Sequence, residues 1–136
     1  MLLERFREEA RPVLVGSASF WEGVDVVGQQ LSMVVIDKLP FAPPDDPVVQ
    51  ARAQAMREQG IQPFMAMHLP RAGMALKQGA GRLIRSETDR GLLVIGDGRL
   101  AEKPYGRRLL RGLPPFRRTR DAGEAMQFVQ AGSSTA

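Results

Sequence analysis

LSMVVIDKLPF, residues 31–41, contains the β-branched run Val34-Val35-Ile36 and stops at Pro40. Such residues pack well on a pleated surface and lose side-chain freedom in a helix, while proline has no N–H to give a ladder. A strand is therefore expected. LLVIGDGR, residues 92–99, predicts another, ending at Asp97, and VLVGSASF, residues 13–20, reads as a buried strand preceding both. Helical stretches lie around them. Leu2 to Ala10 reads as a short charged helix. Asp46 is placed to cap a helix with Pro47 in its first turn, running to Gly60. Further helices are expected after Pro70, near Tyr105 to Arg111, and from Asp121 to Val129. Strands separated by helices indicate an α/β domain whose mostly parallel sheet is flanked by helices and binds ligands at the carboxyl ends of its strands. SFWEGVDV, DKLPF and GDGR all follow predicted strands. Three strands make a thin sheet, so the domain, residues 1–130, is expected to be incomplete on its N-terminal side, with residues 131–136 a disordered tail.

The 136 residues are one domain's worth of chain, 43% hydrophobic and 25% charged. Apolar runs only a few residues long exclude a membrane-spanning helix, and the charged start MLLERFREEARP is unlike a secretory signal, so a cytoplasmic location is expected. The absence of cysteine excludes disulfides and thiolate metal sites in this chain. Its net charge of +4 is unevenly spread. Eight of the nineteen basic residues lie between Arg99 and Arg120, where Glu102 is the only acid. A block of this kind attracts a phosphate backbone, or is simply a solvated face.

The chemistry-bearing stretch is QGAGRLIR, residues 78–85. On a helix, Gln78, Arg82 and Arg85 fall at i, i+4 and i+7 and share a face, beside an apolar stripe of Ala72, Ala75, Leu76, Gly79, Ala80 and Leu83. Guanidinium groups are always charged, and their forked donors match phosphate oxygens. Gly79 and Gly81 each cost about 1 kcal/mol against alanine in a helix, so either close approach by a ligand or plain packing must account for them. His68 stands alone, without the partners of a hydrolytic triad or a metal cluster. Asp97, in a Gly-Asp-Gly turn, reads as structural more readily than catalytic.

Three blocks, SFWEGVDVVG, VVIDKLPFAPPDDP and LKQGAGRLIRSETDRGLLVIGDGR, resemble the second RecA-like motor domain of DinG/XPD-type superfamily 2 DNA helicases, closest to the bacterial DinG and YoaA branch. KPYG and PPFRRTRD downstream extend the likeness to nearly the whole chain. The resemblance implies a RecA-like, P-loop NTPase-like fold. In it QGAGRLIR is similar to helicase motif VI, so Arg85 would be the arginine finger on the γ-phosphate of ATP, Arg82 its companion on the phosphates, and Gln78 and Gly81 part of the nucleotide site. Glu22, Gly23 and Asp25, in the motif V-like block, would line the same cleft. Ser17, Ser19 and Trp21, with Arg107, Arg108, Arg117 and Arg118 from the basic segment, would contact single-stranded DNA, with Tyr105 and Phe116 available for stacking.

A complete motor also needs a Walker A loop and an acidic Walker B segment. Neither occurs in this chain. ATP and Mg2+ would be held mainly by an N-terminal motor domain as partner, and any iron–sulfur cluster would belong to the parent protein. The expectation is thus a C-terminal motor portion of an ATP-dependent 5′–3′ DNA helicase, inactive alone. The alternatives are a stand-alone nucleic-acid-binding accessory module and a non-functional truncated product.

Overall fold

A computed structural model describes residues 2–18, 20 and 31–133 of the chain. The elements are α1 (Leu2–Glu8), β1 (Met33–Ile36), α2 (Pro47–Glu58), a π-helical turn at Phe64–His68, α3 (Leu69–Leu83), β2 (Leu92–Ile95), α4 (Arg99–Glu102), α5 (Pro104–Arg111) and α6 (Ala122–Ser133). Two compact units emerge, one of residues 1–35, 78–94 and 115–136, the other of residues 36–77 and 95–114.

β1 and β2 pair directly. The Leu92 N–H donates to the Ser32 carbonyl at 2.9 Å and the Gly96 N–H to that of Ile36 at 2.8 Å. The constant offset along both chains is the register of parallel strands. The fold class is accordingly α/β, but with two strands among the described residues where three were expected. The run at 13–20 is the difference: residues 12–17 take no regular structure, and Val13 and Val15 are 88% and 90% exposed. A strand exists only through its neighbours' hydrogen bonds, and this segment has no ladder partner among the described residues.

In the second unit, α2 forms as its caps dictate. Asp46 Oδ1 accepts from the N–H groups of Val48 at 2.8 Å and Val49 at 3.1 Å, with Pro47 at the first position, where its missing N–H costs nothing. At the other end Gly60 takes φ +74°. The Gly60 N–H then donates to Arg57 O and the Ile61 N–H to Met56 O, a Schellman closure. Val49 and Ala53 from α2 and Met67 from the π turn form a buried cluster, with Ala42 and Met56 against it.

Helical structure begins before Pro70, correcting the expectation of a start after it. The Leu69 N–H reaches back five residues to Phe64 O. Proline's ring clashes with the carbonyl four residues earlier in a regular α-helix, and a wide turn immediately upstream relieves that conflict. Also in this unit, α4 and α5 pack very closely: a Cβ built on Gly106 would lie 1.9 Å from the Leu100 carbonyl oxygen.

In the first unit, α6 starts at a network of side chains. Asp121 Oδ1 accepts the Glu124 N–H at 3.1 Å, and Thr119 Oγ1 accepts the Asp121 N–H at 3.0 Å. The Glu124 carboxylate in turn accepts from the Thr119 hydroxyl and from Arg117. α6 ends at Ser133, three residues into the stretch read as tail, and residues 134–136 lie outside the described residues.

Candidate functional site

α3 owes its placement to Leu69, Ala72, Leu76, Ala80 and Leu83, a single stripe no more than 2% exposed. Burying each leucine contributes about 1.5–3 kcal/mol. The stripe leaves Gln78 exposed and Arg82 half-buried in the last turn. A Cβ at Gly81 would meet nothing within 4 Å among the described residues. Packing inside the described part of the chain therefore does not account for that glycine.

Arg85 departs from expectation. α3 ends at Leu83, so Arg85 stands two residues beyond the helix, exposed, and the i+7 register does not extend to it. Asp89 replaces the helix as its support. One carboxylate oxygen, Oδ2, accepts the Arg85 N–H at 2.8 Å and the Ser86 N–H at 2.9 Å. Ser86 Oγ and Thr88 Oγ1 lie 3.1 Å apart within the same turn. The two backbone N–H groups, Arg85 first, hold the Asp89 carboxyl below its ordinary value. The Ser-Glu-Thr-Asp run has the composition of a turn, a signal not used in reading the sequence, and Asp89 was not singled out.

Asp97 was read as structural, and its surroundings are those of a structural anchor. Its side chain is 7% exposed and pairs with Arg99, Nη2 to Oδ2 at 2.6 Å. Arg99 Nε also reaches both carboxylate oxygens, at 3.0 and 3.1 Å. The Leu39 N–H, beyond the end of β1, donates to Oδ2 at 2.8 Å, so the loops after the two strands are tied together. Arg99 foremost, then the N–H groups of Leu39 and Arg99, press this carboxyl far below the usual range against the opposing effect of desolvation. A depressed folded-state value stabilises the fold above the unfolded carboxyl's pKa of about 3.9, and that contribution is lost as pH falls further. Asp97→Asn is expected to cost about 1.5–3 kcal/mol at pH 7. The gap between wild-type and variant melting temperatures should narrow steadily below about pH 4; a gap independent of pH would remove ionisation as its source.

The cations of the basic segment differ in what surrounds them. Arg99 is spent on Asp97 and also lies over the Phe41 ring, 5.3 Å from its centroid. Arg117 is paired with Glu124, though 88% of its side chain remains exposed. Arg118 is exposed. On α5, Arg107, Arg108 and Arg111 are all exposed while Gly106 and Leu109 are buried. Tyr105 is half-buried, its ring packed on Phe64 at 5.1 Å and edge-on to Phe41 at 6.0 Å in an aromatic cluster. Ser17 is exposed in the irregular segment. Ser19, Trp21, Glu22, Gly23 and Asp25 lie outside the described residues. Among the described residues no group of three or more His, Asp or Glu side chains is placed to hold a metal ion, and no helix is long and apolar enough to cross a membrane.

Comparison with known proteins identifies the family. The family described as "Helicase C-terminal domain" matches residues 1–116. The ATP-dependent DNA helicase YoaA of Haemophilus influenzae is 52% identical over 129 residues, 95% of this chain and 20% of that protein. YoaA of Escherichia coli is 52% identical over 133 residues, 98% of this chain and 21% of that protein. The ATP-dependent helicase DinG of Mycobacterium tuberculosis is 45% identical over 121 residues, 89% of this chain and 18% of that protein. The chain thus spans about a fifth of the length of the curated relatives it matches. With the family matched over most of the chain and relatives about half identical to it, the chain belongs to the helicase C-terminal domain family, in its DinG/YoaA branch.

Proposed function

We propose that this chain is the C-terminal, RecA-like motor portion of an ATP-dependent 5′–3′ DNA helicase, supplying charge to an ATP held mainly by an N-terminal motor domain. The observation that carries this reading is the last turn of α3 and the loop after it, where Gln78, Arg82 and Arg85 accompany a glycine whose Cβ position is open among the described residues. The side chains of Gln78, Arg82 and Arg85 are neutral or cationic and suit phosphate oxygens, while the nearby Asp89 carboxylate is taken up by the Arg85 and Ser86 N–H groups. Mg2+ is assigned to the other motor domain, with most of the ATP. Arg85 would reach the γ-phosphate, Arg82 the neighbouring phosphates, and Gln78 would orient nucleotide or water; Gly81 would let backbone and ligand approach. Glu22, Gly23 and Asp25 would complete the cleft. When bound, ATP supplies the free energy of phosphoryl transfer, and the arginines stabilise the charge that develops. An iron–sulfur cluster, where the parent has one, would be held outside this chain, which has no cysteine.

The test is single-stranded-DNA-stimulated ATPase activity of this chain alone and of a chimera in which it replaces the 133 matching residues of Escherichia coli YoaA. Silence alone and activity in the chimera are the expected pair. A folded but inactive chimera would sink the motor reading.

DNA contact is assigned to the exposed cations Arg107 and Arg108 on α5 with Arg117 and Arg118, and to Ser17, Ser19 and Trp21. Neutralising Arg107, Arg108 and Arg111 together to glutamine should weaken binding of an oligo-dT strand by the chimera. For every phosphate that is no longer neutralised, the dependence of log affinity on log salt should flatten by about 0.7. An unchanged salt slope would return α5 to the status of a solvated face. An accessory DNA-binding module is the second reading, and the same titration favours it if the chain alone binds as tightly as the chimera.

A further inference from the structure

We propose that Asp89 is a positioning residue for Arg85, holding the arginine's backbone in the direction that its side chain needs to reach phosphate. The inference rests on the reading of Arg85 given above and adds a residue to it.

The physical problem is that Arg85 is not on the helix. A side chain on a regular turn of α3 would inherit its direction from the helix, but the backbone hydrogen bonds that enforce that direction stop at Leu83. Beyond the helix the direction of a long side chain depends on how its own loop backbone is held, and a loosely held backbone costs conformational entropy when the side chain is placed at a reacting group. Asp89 holds that backbone. A single carboxylate oxygen grips two consecutive N–H groups, Arg85 and Ser86, at 2.8 and 2.9 Å. Two donors converging on one acceptor tie down both peptide planes that flank the Arg85 Cα, and hence the direction in which the Arg85 side chain leaves the backbone. The Asp89 N–H returns to the Ser86 carbonyl at 3.3 Å, closing the turn on itself. The carboxyl is held in its ionised form by the same two donors, so the grip persists across the neutral range. Asp89 is only half-buried and brings no apolar group to a core, which makes a role in core packing a poor account of it.

The test uses the full-length YoaA chimera. Asp89→Ala should lower kcat of DNA-stimulated ATP hydrolysis by about 10²-fold, the usual cost of misplacing a catalytic group by about 1 Å. KM for ATP should change little, because the missing interaction matters chiefly in the transition state. Asp89→Asn keeps an oxygen acceptor in place and should recover most of the rate. Amide hydrogen exchange in the peptide covering residues 84–90 should accelerate in the alanine variant and not in the asparagine variant. In an Arg85→Ala background, Asp89→Ala should add nothing. Should the alanine variant fold poorly, Asp89→Glu, which shifts the carboxylate by one methylene, carries the same expectation of low kcat at unchanged KM. A normal kcat for Asp89→Ala beside an impaired Arg85→Ala overturns the inference alone. Losses that multiply in the double variant do the same. An unimpaired Arg85→Ala overturns the reading of Arg85, and the positioning role falls with it.

Discussion

Arg85→Ala in the YoaA chimera is expected to reduce single-stranded-DNA-stimulated ATPase activity by about 10³–10⁵-fold, the range over which an arginine finger acts on phosphoryl transfer. The size follows from where the charge is needed. As the γ-phosphoryl group leaves, negative charge gathers on oxygens within a cleft that excludes water, and a guanidinium there is worth far more than one in solvent. Arg85→Lys should recover only part of the loss, since an ammonium offers one compact charge without the planar fork. The substitution should leave folding intact: Arg85 is exposed, and its turn is held through backbone N–H groups that alanine also has. Melting temperature and DNA affinity measured beside the rate separate loss of chemistry from loss of structure. A kcat within about tenfold of wild type would mean that the arginine serves the DNA track or the loop instead.

Gly106→Ala is expected to be the most damaging single methyl group that can be added to the second unit. An ideal Cβ at that position falls 1.9 Å from the Leu100 carbonyl oxygen and 2.6 Å from its carbonyl carbon. These are backbone atoms, with no rotamer to yield. Helices α4 and α5 would have to separate, and Leu109 and Tyr105 on α5 would be drawn from their packing on α3 and on Phe41 and Phe64. Ordinary overpacking costs about 1–3 kcal/mol, and a backbone collision should reach or exceed the upper end. For a chain of this size that is a drop in melting temperature of about 10 °C or more. A change under about 2 °C would mean that the α4–α5 turn opens freely.

What could be read beforehand was whatever rests on local chemistry. The β-branched runs gave β1 and β2; Asp46-Pro47 and Gly60 bracketed α2; and the apolar stripe of α3 was visible because its burial follows helical spacing. The family was legible for a different reason, since the blocks around SFWEGVDVVG, VVIDKLPFAPPDDP and QGAGRLIR are specific in residue type, order and spacing. Misreadings came where a distant or competing bond decides. Val13 and Val15 carry a strand's composition, but strand structure depends on a neighbour that no local pattern supplies. Pro70 read as a helix start because the π turn that accommodates it leaves no mark in composition. The helical register of Gln78, Arg82 and Arg85 continues on paper past Leu83, yet Asp89 claims the N–H groups that a longer helix would have used. The ring contacts of Tyr105 with Phe41 and Phe64, 64 and 41 positions away, likewise left no local mark. Asp97 was legible only as a turn residue; its tie to Leu39 crosses 58 positions of sequence.

The Asp89 turn also bears on how such a site can change over time. Its two shortest bonds fall on main-chain hydrogens, which any residue at 85 except proline supplies, while the Ser86 hydroxyl adds to the hold on the carboxylate. Shape is thereby written at one position and charge at another. A lineage can try a different group at 85 without first rebuilding the loop that presents it, whereas a change at 89 alters the presentation of whatever stands at 85.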